Sequence, residues 1–189
     1  GLGRTSSGEL IITGTRFTDN TAQAQGGGLQ ITGSGTSTLR NVTVNGNTAV
    51  TSGGGGMTFG GASALVENST ISGNSSKGVG GGIFSASTAI GTFRNVTLSG
   101  NSALVGGGIG ATGVATMLNA TIVANTATGF GGGSGSQNAG KLKATNVLLS
   151  GNLVADAPQN CGTGNGGAIT SSGGNLSDDA ACTMFTDGS

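Results

Sequence analysis

Apolar residues fall along the chain in short alternating runs separated by glycine, and the runs repeat. Aligned on one asparagine, the units have anchors at Asn20, Asn47, Asn74, Asn101, Asn125 and Asn152, at intervals of 27, 27, 27, 24 and 27 residues. Three positions before each anchor stands a large apolar residue: Phe17, Val44, Ile71, Leu98, Ile122 and Leu149. Five before stand Thr15, Val42, Ser69, Val96, Ala120 and Val147, so the side chains alternate with the period of two that marks a half-buried strand. A second asparagine column, Asn41, Asn68, Asn95, Asn119 and Asn146, lies six before the anchor, with Gly14 in its place in the first unit. After the anchor comes a glycine block closed by an aliphatic residue, as in Gly26-Gly27-Gly28-Leu29 and Gly80-Gly81-Gly82-Ile83; the fifth block ends in Ser134. An alternating segment follows each block (Leu29 with Ile31, Met57 with Phe59). Another leads into the next asparagine column, with Ile12, Leu39, Val66, Phe93 and Met117 in register.

Three short strands in a unit of 27 residues cannot enclose their own apolar side chains, so the units must stack on one another. Equivalent strands then pair in parallel at about 4.8 Å per coil, and every column becomes a ladder of like residues. The expected fold is all-β: a parallel β-helix (β-solenoid) of six to seven coils, about 30 Å long. The right-handed form is favoured because parallel crossovers are overwhelmingly right-handed. Residues 1–154 read as the repeats and 155–189 as an irregular cap or last coil. Glycine and asparagine suit the corners because they tolerate positive φ. Stacked asparagines can also bond amide to amide along the rod.

Composition narrows the chemistry. The 189 residues include 42 Gly, one Pro, seven acids, seven Lys or Arg, and no His, Trp or Tyr. Without histidine there is no Ser-His-Asp or Cys-His relay and no imidazole metal ligand. Zero net charge and few aromatics argue against nucleic acid, and no apolar run is long enough for a transmembrane segment. Disorder does not fit a chain that is 34% apolar with one Pro. Gly1, with no initiator Met and no charged-then-apolar leader, reads as a processed or truncated end. No cofactor is expected.

Cys161 and Cys182, 21 apart, read as a disulfide stapling the C-terminal part, contributing about 3 kcal/mol by the chain-entropy model and implying an oxidising setting. Two free thiols or a two-cysteine metal site are the alternatives. Sequons begin at Asn41, Asn68, Asn74, Asn95, Asn119 and Asn175; all but the last fall in the repeat columns, where a corner asparagine and a strand threonine produce the tripeptide without a glycan. No glycine block continues into Gly-Lys-Ser/Thr, so none is a phosphate loop. The six phenylalanines, Phe185 included, are too scattered for a stacking platform. Thr43, Thr70, Thr97 and Thr121 form a column expected to project outward from one sheet, interrupted at its ends by Arg16 and Leu148. Glu67 is expected to stack between Arg40 and Arg94 as a surface ion ladder.

Phe17-Thr18-Asp19-Asn20 followed by Gly26-Gly27-Gly28-Leu29 resembles the paired F-x-x-N and G-G-A-I repeats of bacterial polymorphic outer-membrane proteins. Later units resemble them more loosely, since aliphatics replace the Phe and Gly replaces the Ala. The tail from Gly173 to Cys182 is similar to the closing segment of large anchored bacterial surface proteins built of β-helix repeats. The resemblance implies a secreted or surface-displayed, adhesive or structural protein.

The expected function is therefore a non-catalytic, extracellular structural or adhesive element of a bacterial surface. Its expected partners are a cell-surface or polysaccharide ligand or further copies of itself stacked head to tail into a filament, since Leu10-Ile11-Ile12 begins as strand with little before it. The alternatives are an ice-binding solenoid using the threonine column and a polysaccharide-active β-helix enzyme, for which clustered acids are lacking.

Overall fold

The repeat builds three parallel sheets, each seven strands deep along the main path. The first sheet takes the short segments after the glycine blocks, Leu29–Ile31, Met57–Phe59, Ile83–Ser85 and Ile109–Ala111, flanked by Leu2–Arg4 at one end and Ser134–Gln137 and Cys161–Gly164 at the other. The second holds the long segments Gly8–Thr13, Gly35–Arg40, Ala62–Ser72, Ile90–Ser99, Val114–Val123, Lys141–Ser150 and Ala168–Ser171. The third is made of two- to five-residue strands just after the anchors, from Thr21–Ala22 to Leu153–Val154, and ends with Ala157–Pro158 turned back antiparallel. The computed structural model describes residues 1–183; residues 184–189, among them Phe185 and the end of the 155–189 segment, lie outside the described residues.

Register follows the repeat. Val66, Phe93, Met117 and Ala144 are direct neighbours, as are Leu29, Met57, Ile83, Ile109, Ser134 and Cys161. These inward columns are fully buried, and Phe59 packs on Phe93 with ring centroids 6.0 Å apart. Ser134 breaks its aliphatic column next to Cys161, with the Ser134 hydroxyl 3.6 Å from Sγ. The unit of 24 residues is absorbed mostly at the corner between the first and second sheets, where 112–113 replace 86–89.

Within a coil the division differs from the expected one. The expected strand leading into the asparagine column and the expected strand before the anchor run together from the third to the sixth coil, bending at Asn68, Asn95, Asn119 and Asn146, whose φ lies at 52 to 53°. The anchors do not occupy the left-handed corner; the residue before each does, Asp19, Gly46, Gly73, Gly100, Ala124 and Gly151. Each corner residue adds one to the alternation, so Val44 and Asn47 both face inward with Gly46 between them. Glycine enters the blocks for two reasons. Gly54 and Gly80 need positive φ, whereas a Cβ on Gly55 or Gly81 would collide with the carbonyl oxygen of the next coil's block.

Candidate functional site

The buried anchors form one continuous hydrogen-bonded column. The backbone N–H and Nδ2 of Asn20, Asn47, Asn74, Asn101 and Asn125 each donate to Oδ1 of the following anchor at 2.9 or 3.0 Å. The second Nδ2 hydrogen of Asn47, Asn74, Asn101, Asn125 and Asn152 goes to the carbonyl of Phe17, Val44, Ile71, Leu98 and Ile122 at 2.8 to 3.0 Å. Buried amides must be satisfied, and these are, without water. The bonds to Oδ1 all run toward the C-terminal end, and those to the carbonyls run back toward the preceding coil. The exposed column runs the other way, Asn95 donating to Asn68, Asn119 to Asn95 and Asn146 to Asn119 at 3.0 to 3.3 Å. Asn41 lies at the same exposed corner with φ of 54°.

After Asn152 the column leaves its period. The chain turns back through Ala157–Pro158, and Asn160 stacks on Asn152, accepting from its Nδ2 at 2.7 Å. Asn160 in turn donates from Nδ2 to Asp178 Oδ1 at 2.7 Å and from its backbone N–H to Asp179 Oδ2 at 2.6 Å. Asp178 Oδ2 accepts from the Ser150 hydroxyl at 2.7 Å and the Gly151 N–H at 2.8 Å. The Ser150 hydroxyl, with help from the Asn160 amide, holds the Asp178 carboxyl below its ordinary range. Cys161 and Cys182 form a disulfide, both sulfurs buried, which ties this segment to the residue beside Asn160. The asparagine period and the presence of two cysteines pointed to column and bridge; Asn160 lies out of period, whereas Asp179 stands 27 after Asn152, an interval not followed beyond the last asparagine.

Thr43, Thr70, Thr97 and Thr121 are direct neighbours on the outer face of the second sheet, between Arg16 and Leu148. The third sheet carries another hydroxyl rank that the sequence reading missed: Thr21, Thr48, Ser75, Ser102 and Thr126, ending at Leu153. Its signal was present, a hydroxyl residue directly after every anchor but the last. A depression of about 660 Å³ crosses this sheet over Ser102 and Thr126, with Leu104 beside them, Lys77 at one side and Asp156 at the other. Glu67 sits between Arg40 (2.9 Å) and Arg94 (3.2 Å), with the arginines half exposed. Of the repeat sequons, Asn74 is buried in the column, whereas Asn41, Asn68, Asn95 and Asn119 are exposed, so burial leaves no room for a glycan only at Asn74. Among the described residues no group of three or more His, Cys, Asp or Glu could hold a metal, and no helix is long and apolar enough to cross a membrane.

Comparison with curated proteins and with solved structures gives no match. One family model, described as the right handed beta helix region, matches residues 1–179. The three parallel sheets, the 27-residue register and that match agree, and the chain belongs to the right-handed β-helix family.

Proposed function

We propose that the chain is a non-catalytic structural or adhesive element of a bacterial surface, working outside the cytoplasm as a stiff rod that presents flat, neutral, hydroxyl-bearing faces. The observation that carries this reading is the unbroken buried asparagine column beneath outward ranks of Thr and Ser held in register over four or five coils. A side-chain ladder of this kind couples each coil to the next, so the outward ranks are held at a fixed spacing. The disulfide supports an oxidising setting, and the likeness of the first unit to polymorphic outer-membrane protein repeats supports surface display.

The test is saturable binding of labelled protein to bacterial cells and to immobilised neutral polysaccharides, repeated with Ser102→Ala/Thr126→Ala. A loss of affinity of about thirtyfold in the variant is expected if each of the two lost hydroxyls removes about 1 kcal/mol. Release of new reducing ends or of unsaturated uronate from any polysaccharide overturns the non-catalytic reading. The threonine ranks also favour a second reading, ice binding, whose signature is thermal hysteresis abolished by Thr97→Tyr.

A further inference from the structure

The chain is neutral as a whole, but its cations and its exposed aliphatic side chains gather on one sheet. Five of the seven cations, Arg16, Arg40, Arg94, Lys141 and Lys143, stand on strands of the second sheet, against two of the acids, Glu9 and Glu67. The same strands carry five of the seven exposed large aliphatics among the described residues: Ile11, Ile90, Val114, Leu148 and Leu176. Both kinds of side chain meet toward the C-terminal end. Ile90 and Val114 are direct neighbours, 57% and 38% exposed, and Lys141 pairs beside Val114. Lys143 lies two residues further on the same face, about 7 Å along the strand, in the row that begins Thr92 and Thr116. The strand neighbours of the two lysines are Val114 and Thr116 on one side and Ala168 and Thr170 on the other, all uncharged. Among the described residues neither lysine is ion-paired, whereas Glu67 already holds Arg40 and Arg94. A depression of about 360 Å³ shares Ile90 with this patch and is lined also by Thr38, Ser63, Leu65, Thr92 and Arg94.

We infer that the outer face of the second sheet, around Ile90, Val114, Lys141 and Lys143, is a docking surface for anionic lipid, on which the rod lies flat. Charge complementarity fixes the sign of the ligand, and the aliphatics fix its second property. A surface of anionic lipids sets phosphates over an apolar boundary, so the two free lysines meet phosphates while Ile90 and Val114 are covered between the headgroups. The depression offers the Arg94 guanidinium and the hydroxyls of Thr38, Ser63 and Thr92 to one headgroup, with Leu65 and Ile90 against its apolar part. An acidic polysaccharide supplies the charge without the apolar layer and leaves Ile90 and Val114 with no counterpart. Nucleic acid fits less well still, because the aromatics of these strands, Phe17 and Phe93, pack on the core and no ring is left for base stacking. The inference goes beyond the polysaccharide reading above, which concerns the hydroxyl rank and depression of the third sheet.

The experiment is co-sedimentation with vesicles of phosphatidylcholine alone and of an equal mixture of phosphatidylcholine and phosphatidylglycerol. The unaltered chain is expected to bind the mixed vesicles and not the neutral ones, and to bind more weakly at about 1 M salt, where screening acts within about 3 Å. Lys141→Gln/Lys143→Gln is expected to bind the mixed vesicles about thirtyfold more weakly, two charges at about 1 kcal/mol each. Ile90→Thr/Val114→Thr keeps the branched side chains that strands favour and is expected to bind them about tenfold more weakly. All four replaced side chains are exposed, and far-ultraviolet circular dichroism is expected to show the unaltered β signal in both variants. Failure to bind mixed vesicles, equal binding to both kinds, or a lysine variant that binds as well as the unaltered chain overturns the inference. A soluble polyuronate bound as tightly as the vesicles, with no change in Ile90→Thr/Val114→Thr, overturns it too and makes an acidic polysaccharide the ligand. Neutral polysaccharides are tested separately without vesicles, so failure of either reading leaves the other standing.

Discussion

Two asparagine columns at the same spacing bear very different loads. Asn101 is fully buried; its Oδ1 accepts from Asn74 twice, and its own donors serve Asn125 Oδ1 and the Ile71 carbonyl. Asn101→Ala strands donors on one side and acceptors on the other, each costing about 1 to 3 kcal/mol when buried without a partner. A total loss of at least about 3 kcal/mol is expected in urea unfolding. Asn119 is exposed, and Asn119→Ala is expected to cost no more than about 2 kcal/mol, mainly the penalty for Ala at its left-handed φ of 52°. Equal losses for the two would show that burial does not separate the columns. Ala124 is the one aliphatic residue at a corner filled elsewhere by Gly or Asp, at φ of 53°. Ala124→Gly relieves about 1 to 2 kcal/mol and returns about 0.4 to 1 through the unfolded chain, so a gain of about 0.5 to 1 kcal/mol in stability is expected from the same titration.

Among the elements, the glycine blocks decide how closely coils can approach. A Cβ on Gly81 would meet the carbonyls of Gly107 and Ser102, both backbone and neither free to step aside. Gly81→Ala is expected to destabilise by more than about 3 kcal/mol or to abolish folding, measured as soluble yield and thermal midpoint. Gly151→Ala leaves the added Cβ in open space and meets only the left-handed penalty of about 1 to 2 kcal/mol. The period of two located the strands that follow the blocks and those that lead to the anchors. It passed over the third sheet, because two-residue strands such as Thr48–Ala49 are too short to alternate. Their pairing depends on the neighbouring coils, which no window along the chain contains.

For the whole molecule, the end of the rod is its electrostatically sensitive part. Asp178 has its pKa lowered in the folded chain by the hydrogen bonds of Ser150 and Asn160. A depressed carboxyl contributes stability that is present above its unfolded value of about 3.9 and is lost as the pH falls through the folded value. Amide exchange at Asn160 and Gly151 is therefore expected to speed up below pH of about 4 in the native chain, with no such change at Asn74 or Asn101 in the middle of the column. In Asp178→Asn that acid step is expected to disappear. Uniform acceleration along the column at low pH would place the acid sensitivity elsewhere.

The sequence by itself determined the architecture, because a 27-residue period of buried, glycine and asparagine positions has one way to enclose its apolar columns, by stacking. It also determined the outward threonine column and the Glu67 ion ladder, which follow from register, whereas for the two cysteines it made a bridge the first of three readings and the structure decided for it. Only the tertiary structure decided that the anchor asparagines face inward, since that depends on the left-handed residue before each and its effect on alternation. It alone revealed Asn160 out of period and the carboxylates of Asp178 and Asp179 as the acceptors of its donors. Such contacts join residues 18 or 19 apart across an irregular turn, spacings that the repeat does not contain.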